Sequence, residues 1–272
     1  MGYVQVGEEN STPIEIYYED HGSGRPIVLL AGWPLDSRSW EGQLHALIAA
    51  GHRVISYDRR GFGRSSRPTE GYDFDTLAGD LAKLMDELDL HDVALVGFSL
   101  GTGELARYIG TQGTGRLRSC VFIESLAPSF TKSEENPKGV DKAAVEEVQA
   151  AILADRPAWL TGLVGDLMNL GGRVSEEMVR TIWDAGADAS PWATWASPEL
   201  WLEDFVADIE RIDIPTLILH GAADRILSLE GEARRLHAAL PEARYVEIEG
   251  GPHLVGVTHP AEINRELLSF LG

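Results

Sequence analysis

Residues 93–101 read Val-Ala-Leu-Val-Gly-Phe-Ser-Leu-Gly, and the chain continues Thr-Gly-Glu-Leu-Ala-Arg with a helical pattern. The apolar run at 93–96 predicts a buried strand. Ser99 stands between Gly97 and Gly101, and glycines two residues before and after a serine allow a strand to fold sharply back onto a helix. We therefore predict a strand, a tight turn and a helix, with the side chain of Ser99 projecting from the strained apex of the turn as a candidate nucleophile.

Short apolar runs alternate with helical patterns on both sides of this stretch. Most of the runs are continuously apolar, which is typical of parallel strands that are covered by helices on both faces. The pattern predicts an α/β fold with a doubly wound, mostly parallel sheet. The predicted strands are residues 14–18, 27–30, 53–57, 93–96, 120–123, 216–219 and 244–248.

The alternation stops between residues 127 and 212, where helical patterns at 142–153 and 176–183 occur without a convincing strand. A structureless loop of that length is uncommon in a compact domain. We predict a core domain of residues 1–126 and 213–272, interrupted by a helical cap of residues 127–212. This predicted cap holds five of the seven tryptophans, namely Trp159, Trp183, Trp192, Trp195 and Trp201.

Composition excludes several classes of protein. The 272 residues, 44% of them hydrophobic, can bury one sizeable core, and a net charge of −20 disfavours nucleic acid and anionic membrane surfaces. Residues 1–10 lack the basic and apolar regions of a signal peptide, and no apolar run approaches the length of a membrane span. Cys120 is the single cysteine. We expect a soluble, cytoplasmic chain without disulfides.

A serine nucleophile needs a base, and in folds of this pattern the chain order is serine, acid, histidine. His253 lies in a glycine-rich turn just after the predicted strand 244–248. Asp224 and Glu124 each follow a predicted strand between the serine and the histidine. Asp224 is favoured because its turn neighbours the histidine turn in a doubly wound sheet. The candidate triad is Ser99, Asp224 and His253, with Glu124 as the alternative acid.

A second motif overlaps the first. Residues 101–106 match the dinucleotide fingerprint G-x-G-x-x-A, and Glu124 ends the next strand, where a ribose-binding acid would lie. The first glycine of that fingerprint makes the turn directly after a strand, whereas Gly101 falls inside the predicted helix. We therefore favour the serine hydrolase and expect no cofactor, with a nucleotide-binding oxidoreductase as a rival. His253 and His259 are spaced too loosely to predict a metal site.

Ser99, Asp224 and His253, in this order, resemble the triad of the α/β-hydrolase fold superfamily. Within it, this chain is similar to the cofactor-free haloperoxidases and perhydrolase esterases of bacteria. The resemblance implies that the backbone N–H groups of Trp33 and Leu100 hold the oxyanion, and that the chain is a homo-oligomer. The stretches that carry it are Gly-Trp-Pro-Leu at 32–35, Tyr-Asp-Arg-Arg-Gly-Phe-Gly at 57–63, residues 97–104, and Leu-His-Gly at 219–221.

This chain departs from that branch at one position. Ala31 stands where its members have a histidine that supports the oxyanion loop, which implies an altered substrate range or weaker acyl transfer. Pro34 matches the relatives that are associated with perhydrolysis, in which hydrogen peroxide replaces water. We interpret the run at 58–63 as a structural turn.

The residues and the resemblance together predict a serine esterase that transfers acyl groups of small apolar or aromatic esters. Lactonases, amidases and carbon–carbon hydrolases use the same triad and remain open. A receptor-like protein that binds a ligand without turnover is the alternative from another class. The predicted substrate-binding residues are Trp33, Trp159, Trp183 and Trp195.

Overall fold

A computed structural model describes residues 1–169 and 173–272, and eight strands of these residues form one sheet. The sheet order is β1-β2-β4-β3-β5-β6-β7-β8, with β1 and β2 antiparallel to their neighbours and the other strands parallel. The predicted mostly parallel α/β sheet is confirmed. The strands are β1 (Gly2–Glu9), β2 (Thr12–Gly22), β3 (Pro26–Leu30), β4 (Arg53–Tyr57), β5 (Val93–Phe98), β6 (Leu117–Ile123), β7 (Thr216–Gly221) and β8 (Arg244–Ile248).

All seven predicted strands are present, and β1 is the strand that the sequence did not reveal. It pairs with β2 at the edge of the sheet, from Gly2 opposite Tyr18 to Glu9 opposite Thr12. An edge strand has few apolar positions, because only part of one face is covered. In β1 the buried side chains are mainly those of two valines, Val4 and Val6.

The strands in the middle of the sheet are buried on both faces. In β5, Leu95 belongs to one apolar cluster and Val96 to a second cluster on the opposite face. Neither side chain is exposed to solvent. This two-sided burial explains why the strand reads as a continuous apolar run rather than as an alternating one.

Helices cover both faces of the sheet. None of the helices in the described residues is long and apolar enough to span a lipid bilayer. The helices are α1 (Glu41–Ala49), α2 (Phe74–Glu87), α3 (Leu100–Gln112), α4 (Lys142–Met168), α5 (Glu176–Asp188), α6 (Pro191–Ala196), α7 (Val206–Ile209), α8 (Arg234–Ala239), α9 (Val255–Thr258) and α10 (Pro260–Leu271).

The segment between β6 and β7 holds α4 to α7 and no strand among its described residues. Helix α4 is kinked at Asp155, whose backbone leaves the helical region two residues before Pro157. Pro157 has no backbone N–H, and its ring clashes with the preceding helical turn, so the helix is interrupted before it. The Asp155 carboxylate accepts a hydrogen bond from the N–H of Ala158 at 3.0 Å and caps the second part of the helix. The kinked helix contributes residues to the cavity described below. The division into core and cap domains stays a prediction.

The parallel register brings several strand ends to one edge of the sheet. Phe98 of β5 pairs with Ile123 of β6, Ile123 pairs with Leu219 of β7, and Leu219 pairs with Val246 of β8. The turns that leave β5, β7 and β8 therefore lie side by side. These turns carry the three residues of the candidate triad.

Candidate active site

Ser99 occupies a strained turn between β5 and α3. Its backbone has φ 50° and ψ −121°, a conformation that a residue with a side chain rarely adopts. A Cβ atom on Gly97 would lie 2.7 Å from the carbonyl oxygen of Gly101, and one on Gly101 would lie 2.4 Å from that of Leu30. Only glycines fit at these two positions. The N–H of Ser99 donates to the carbonyl of Ile123 at 2.9 Å, which ties the turn to β6.

The structure brings Ser99, His253 and Asp224 together in one chain of hydrogen bonds. Nε2 of His253 lies 2.9 Å from Oγ of Ser99, and Nδ1 of His253 lies 2.7 Å from Oδ2 of Asp224. Oδ1 of Asp224 accepts from the N–H groups of Ile226 at 2.7 Å and Leu227 at 3.1 Å. The imidazole is therefore held between a hydroxyl and a fixed carboxylate, an arrangement that can move a proton from the serine.

The electrostatics of Asp224 suit an orienting acid. Its side chain is buried, which by itself would raise the pKa of the carboxyl. The charge of a protonated His253 and the hydrogen bond to it outweigh burial and lower the pKa of Asp224 to about 2. Asp224 is therefore ionised at neutral pH and can stabilise a positively charged imidazole.

Glu124, the alternative acid, lies behind Asp224. Its Oε1 accepts from the N–H of Gly221 at 2.7 Å, and it makes no hydrogen bond to His253. Burial, followed by the neighbouring charge of Asp224, raises the pKa of Glu124 well above its ordinary value. Of the two candidate acids, Asp224 is the one that contacts the histidine.

The turns that carry the acid and the histidine are fastened to each other. The N–H of Ala223 donates to the carbonyl of Gly251 at 2.8 Å. The histidine turn is also tied to the segment between β6 and β7, because the N–H of Leu254 donates to the carbonyl of Leu167 in α4 at 2.7 Å. His253 is thus held from the sheet side and from α4.

The backbone N–H groups of Trp33 and Leu100, which the resemblance implies as oxyanion donors, have no acceptor among residues 1–169 and 173–272. Leu100 is the first residue of α3, so its N–H has no acceptor within the helix. Neither N–H donates a hydrogen bond to any described residue. A Cβ atom on Gly32 would lie 3.1 Å from Cβ of Ser99, so the loop that carries Trp33 passes directly beside the serine.

Arg59 supports the loop that carries Trp33, the proposed oxyanion loop. Its Nη2 donates to the carbonyl of Ala31 at 2.9 Å, and its guanidinium forms a buried ion pair with Glu104 at 2.8 Å. Glu104 also accepts a hydrogen bond from the hydroxyl of Tyr57. The loop therefore has a buried polar support beside Ala31, where members of the branch have a histidine. The sequence predicts only a structural turn at residues 58–63 and carries no signal of this contact.

A cavity of about 550 Å³ opens above the serine. Ser99 and His253 lie at its floor, and its walls include Trp33, Trp159 and Trp201. The ring centroid of Trp33 is 5.4 Å from that of Trp159 and 5.1 Å from that of Trp201. Of these, Trp201 was not in the predicted substrate-binding set. Further apolar lining comes from Leu126, Phe130, Val140, Val148, Leu163, Leu167, Ile226 and Leu227.

The structure does not bring Trp183 and Trp195 to this cavity. The indole N–H of Trp183 donates to the hydroxyl of Thr161 at 3.1 Å, and the ring of Trp195 packs on that of Trp192 at 5.1 Å. The prediction had treated these tryptophans alike, because residue type alone does not say which face of a helix turns toward the sheet.

The glycines of the dinucleotide-like motif serve helix packing. Gly101 and Gly103 both lie inside α3 rather than in a turn directly after a strand. A Cβ atom on Gly103 would lie 2.6 Å from the ring of Phe74 and 2.7 Å from that of Phe205. The motif therefore lets α3 pack closely against Phe74 and Phe205. It does not form the phosphate-binding turn that a nucleotide-binding oxidoreductase, the rival interpretation, would need.

Comparison with known proteins agrees with this fold. A family profile described as the alpha/beta hydrolase fold matches residues 25–260, so the chain belongs to the α/β-hydrolase fold family. A crystal structure of bromoperoxidase from Bacillus anthracis superimposes with a TM-score of 0.95 at 44% identity and covers 99% of both chains. The esterase EaEST from Exiguobacterium antarcticum superimposes with a TM-score of 0.94 at 30% identity, over 100% of this chain and 99% of its own.

Curated relatives belong to the same branch. The non-heme chloroperoxidase CPO-A1 of Kitasatospora aureofaciens is 37% identical over 95% of this chain and 96% of its own. The bifunctional esterase/perhydrolase DCH of Acinetobacter calcoaceticus is 29% identical over 100% of this chain and 99% of its own. The predicted resemblance to the haloperoxidase branch is confirmed. The chain is an α/β hydrolase, and the receptor-like alternative is not favoured.

Proposed function

We propose that this chain is a serine esterase in which Ser99 is the nucleophile, His253 the general base and Asp224 the orienting acid. The observation that carries the proposal is the hydrogen-bond chain from Ser99 Oγ to His253 Nε2 at 2.9 Å and from His253 Nδ1 to Asp224 at 2.7 Å. This chain lies at the floor of an apolar cavity that can hold an ester.

The reaction begins when His253 removes the proton of Ser99 and Oγ bonds to the carbonyl carbon of the ester. The carbonyl oxygen becomes negative next to the N–H groups of Trp33 and Leu100, and preorganised donors at that point contribute strongly to the rate. His253 then passes its proton to the leaving alcohol, and an acyl-enzyme remains. Water loses a proton to His253 and attacks the acyl carbon. His253 then returns that proton to Oγ of Ser99 as the bond between Oγ and the acyl carbon breaks and the acid is released.

The cavity favours small apolar or aromatic esters. The rings of Trp33, Trp159 and Trp201 and the other apolar side chains form most of the lining above the serine. The charged residues of the lining are Lys138, Asp166 and Arg225. The esterase named among the solved structures supports an ester as the substrate. We propose that the rings hold the apolar part of the ester while its carbonyl lies beside Ser99.

Hydrogen peroxide is the second acyl acceptor that we propose. Peroxide would lose a proton to His253, attack the acyl-enzyme and leave as a peracid, which can oxidise a halide in solution while returning to the carboxylic acid. The support comes from relatives named as haloperoxidases and as an esterase/perhydrolase. Halide oxidation that requires both peroxide and a carboxylic acid or ester would sustain this part of the proposal.

The decisive variant is Ser99→Ala, with Ser119→Ala as its control. Ser119 is a buried serine near the start of β6, away from the carboxyl ends of the strands. We expect S99A to reduce hydrolysis of 4-nitrophenyl acetate by several orders of magnitude and S119A to leave it near the wild-type rate. Mass spectrometry after treatment with an organophosphonate should find the adduct on Ser99. An adduct elsewhere, or an active S99A, would refute the proposal.

The homo-oligomer implied by the resemblance also remains a proposal. Sedimentation equilibrium of the purified chain tests it directly. A species with the mass of a single chain at micromolar concentration would contradict it.

A further inference from the structure

Glu124 is a buried acid that the acyl-transfer mechanism does not use. It follows β6 directly, its side chain is completely buried, and its backbone has a positive φ of 48°. Together with Asp224 and His253 it forms a cluster whose carboxylate oxygens and ring nitrogen lie within 4.8 Å of one another. A carboxyl group in this position must be neutral or have a partner for its charge.

No cation among the described residues pairs with Glu124. Its Oε1 accepts from the N–H of Gly221 at 2.7 Å, while its Oε2 receives no hydrogen bond. The nearest basic group is His220, whose Nε2 lies 3.1 Å from Oε2. That nitrogen is also 2.9 Å from the carbonyl oxygen of Leu227, to which its hydrogen is directed.

The carboxyl groups of Glu124 and Asp224 are both buried, and their ligand oxygens lie within 4.8 Å of each other. They do not both ionise, because like charges in a low-dielectric interior repel strongly. Of the two carboxyl groups, that of Asp224 is better stabilised in its ionised form. It is hydrogen-bonded to His253 and accepts two backbone N–H groups, whereas Glu124 accepts one. The proton of the pair therefore belongs to Glu124.

We propose that Glu124 is a positioning residue that stays protonated and donates a hydrogen bond to the carboxylate of Asp224. The proposal rests on the proposed triad, since Asp224 matters here only as the partner of His253. The hydrogen bond would fix the carboxylate for His253 and keep it ionised while the imidazole gains and loses its proton. Glu124 itself touches neither substrate nor the reacting atoms.

The titratable groups that face Glu124 agree with this assignment. They are His220 and Asp224, from β7 and its following turn, with His253 beyond Asp224 from the turn after β8. Burial lowers the pKa of His220, so this histidine is neutral and brings no positive charge to Glu124. Burial and the neighbouring Asp224 raise the pKa of Glu124, whereas the contact with His253 lowers that of Asp224 to about 2.

The test compares Glu124→Gln with Glu124→Leu. Glutamine is uncharged and keeps both a donor for Asp224 and an acceptor for the N–H of Gly221, whereas leucine keeps neither. We expect E124Q to retain kcat within about threefold of wild type, and E124L to lose on the order of tenfold to a hundredfold, as is usual when a charged group loses a buried hydrogen bond. Glu266→Gln is the matched control, because Glu266 pairs with Arg244 at the opposite end of β8.

The pH profile of kcat/KM separates positioning from a merely structural role. A neutral Glu124 carries no charge to lose, so E124Q should leave the acidic limb of the profile in place. E124L should move that limb to higher pH, because an Asp224 carboxylate without its donor stabilises the charged imidazole more strongly. A downward shift in E124Q would mean that Glu124 is ionised, and would overturn the proposal. So would equal losses of kcat in E124Q and E124L.

Infrared difference spectroscopy tests the proton directly and does not depend on the folding of E124L. The carbonyl stretch of a protonated carboxyl should be present in wild type at neutral pH and missing from E124Q. Its absence from wild type would contradict the proposal. Activity that is lost on dialysis against EDTA and restored by a divalent cation would also contradict it, by giving the carboxyl pair a cation instead of a proton.

Failure of this inference and failure of the proposed function give different results. If S99A remains active, the serine mechanism is wrong whatever the Glu124 variants do. If S99A is inactive while E124L matches wild type in rate and pH profile, the triad stands and Glu124 has no positioning role.

Discussion

The floor and the walls of the cavity are built in different ways. At the floor, Ser99 is fixed by backbone contacts that admit only glycine at Gly97 and Gly101. In the walls, Trp159 and Trp201 are held by the packing of rings against Trp33, without a hydrogen bond between them. Backbone contacts fix atomic positions closely, whereas ring packing tolerates substitution by other apolar groups. Changes at the floor should therefore act on kcat, and changes in the walls on KM.

The largest effect of these is expected for Asp224→Asn, because Asp224 holds His253, which lies at the floor. The amide would favour the wrong tautomer of His253 and remove the charge that stabilises the imidazolium. We expect kcat for 4-nitrophenyl acetate to fall by roughly 10⁴-fold, with little change in KM. Circular dichroism would check that the variant is folded. A loss of less than tenfold would mean that Asp224 is not the acid that orients the histidine.

A smaller effect on kcat is expected when the support of the oxyanion loop is loosened. Arg59→Lys keeps the positive charge beside Glu104 but loses the planar fork that also reaches the carbonyl of Ala31. Removal of an oxyanion donor costs about a hundredfold or more in rate, and a loosened donor should cost less, roughly tenfold. Steady-state kinetics of R59K measure this loss.

The control for R59K is Arg60→Lys, since Arg60 forms a comparable buried ion pair with Asp80 at 2.7 Å and makes no hydrogen bond to the oxyanion loop. Equal losses of kcat in the two variants would show that general destabilisation, and not the loop, is responsible.

A wall substitution should spare kcat. Trp159→Ala removes a ring that lines the cavity, and we expect KM for an aryl ester to rise by several-fold to about tenfold, with kcat nearly unchanged. Trp183→Ala is the matched control, because that ring lies outside the cavity. A fall in kcat of W159A as large as that of R59K would show that wall residues and floor residues do not differ in their effects on kcat and KM.

The smallest effect on the reaction, and a clear one on stability, is expected for Glu124→Gln. Glu124 is protonated when folded and ionises near its ordinary pKa of 4.5 when unfolded, so the folded state binds more protons above that pH. The free energy of unfolding of wild type should therefore fall relative to E124Q by about 1.4 kcal/mol for each pH unit above about 5.

Urea denaturation at pH 5, 6 and 7 measures this difference. Parallel pH dependences of the free energy of unfolding in the two proteins would show that the carboxyl is ionised in the folded state.

The floor could be predicted from the sequence far better than the walls. Ser99 lies in a local motif whose spacing implies a strand, a turn and a helix, and the order of strands brings His253 and Asp224 to the same edge. Arg59 was missed because its contact with the Ala31 carbonyl depends on how two distant loops pack. The prediction of Trp183 in place of Trp201 was wrong, since the side of a helix that meets the cavity is decided by tertiary packing.

The edge strand of the sheet was also not predicted, because its recognition depends on contacts with another part of the chain. Strand β1 is half-buried and polar, so its signal lies in pairing with β2 and not in composition. Strands that are buried on both faces, such as β5, can be predicted from their continuous apolar run alone, without knowledge of the strand that pairs with them.

Because Ser99 and Leu100 are successive residues of one turn, the attacking oxygen and one donor of the proposed oxyanion hole move as a single rigid unit. The other donor, on Trp33, belongs to a separate loop with its own buried support. Adapting this enzyme to bulkier acyl groups or a different acceptor therefore depends on movement of the loop that carries Trp33, because the turn that holds Ser99 and Leu100 is fixed. Mutational libraries aimed at new substrates should be concentrated on that loop and its anchor, where geometry can change without dismantling the nucleophile.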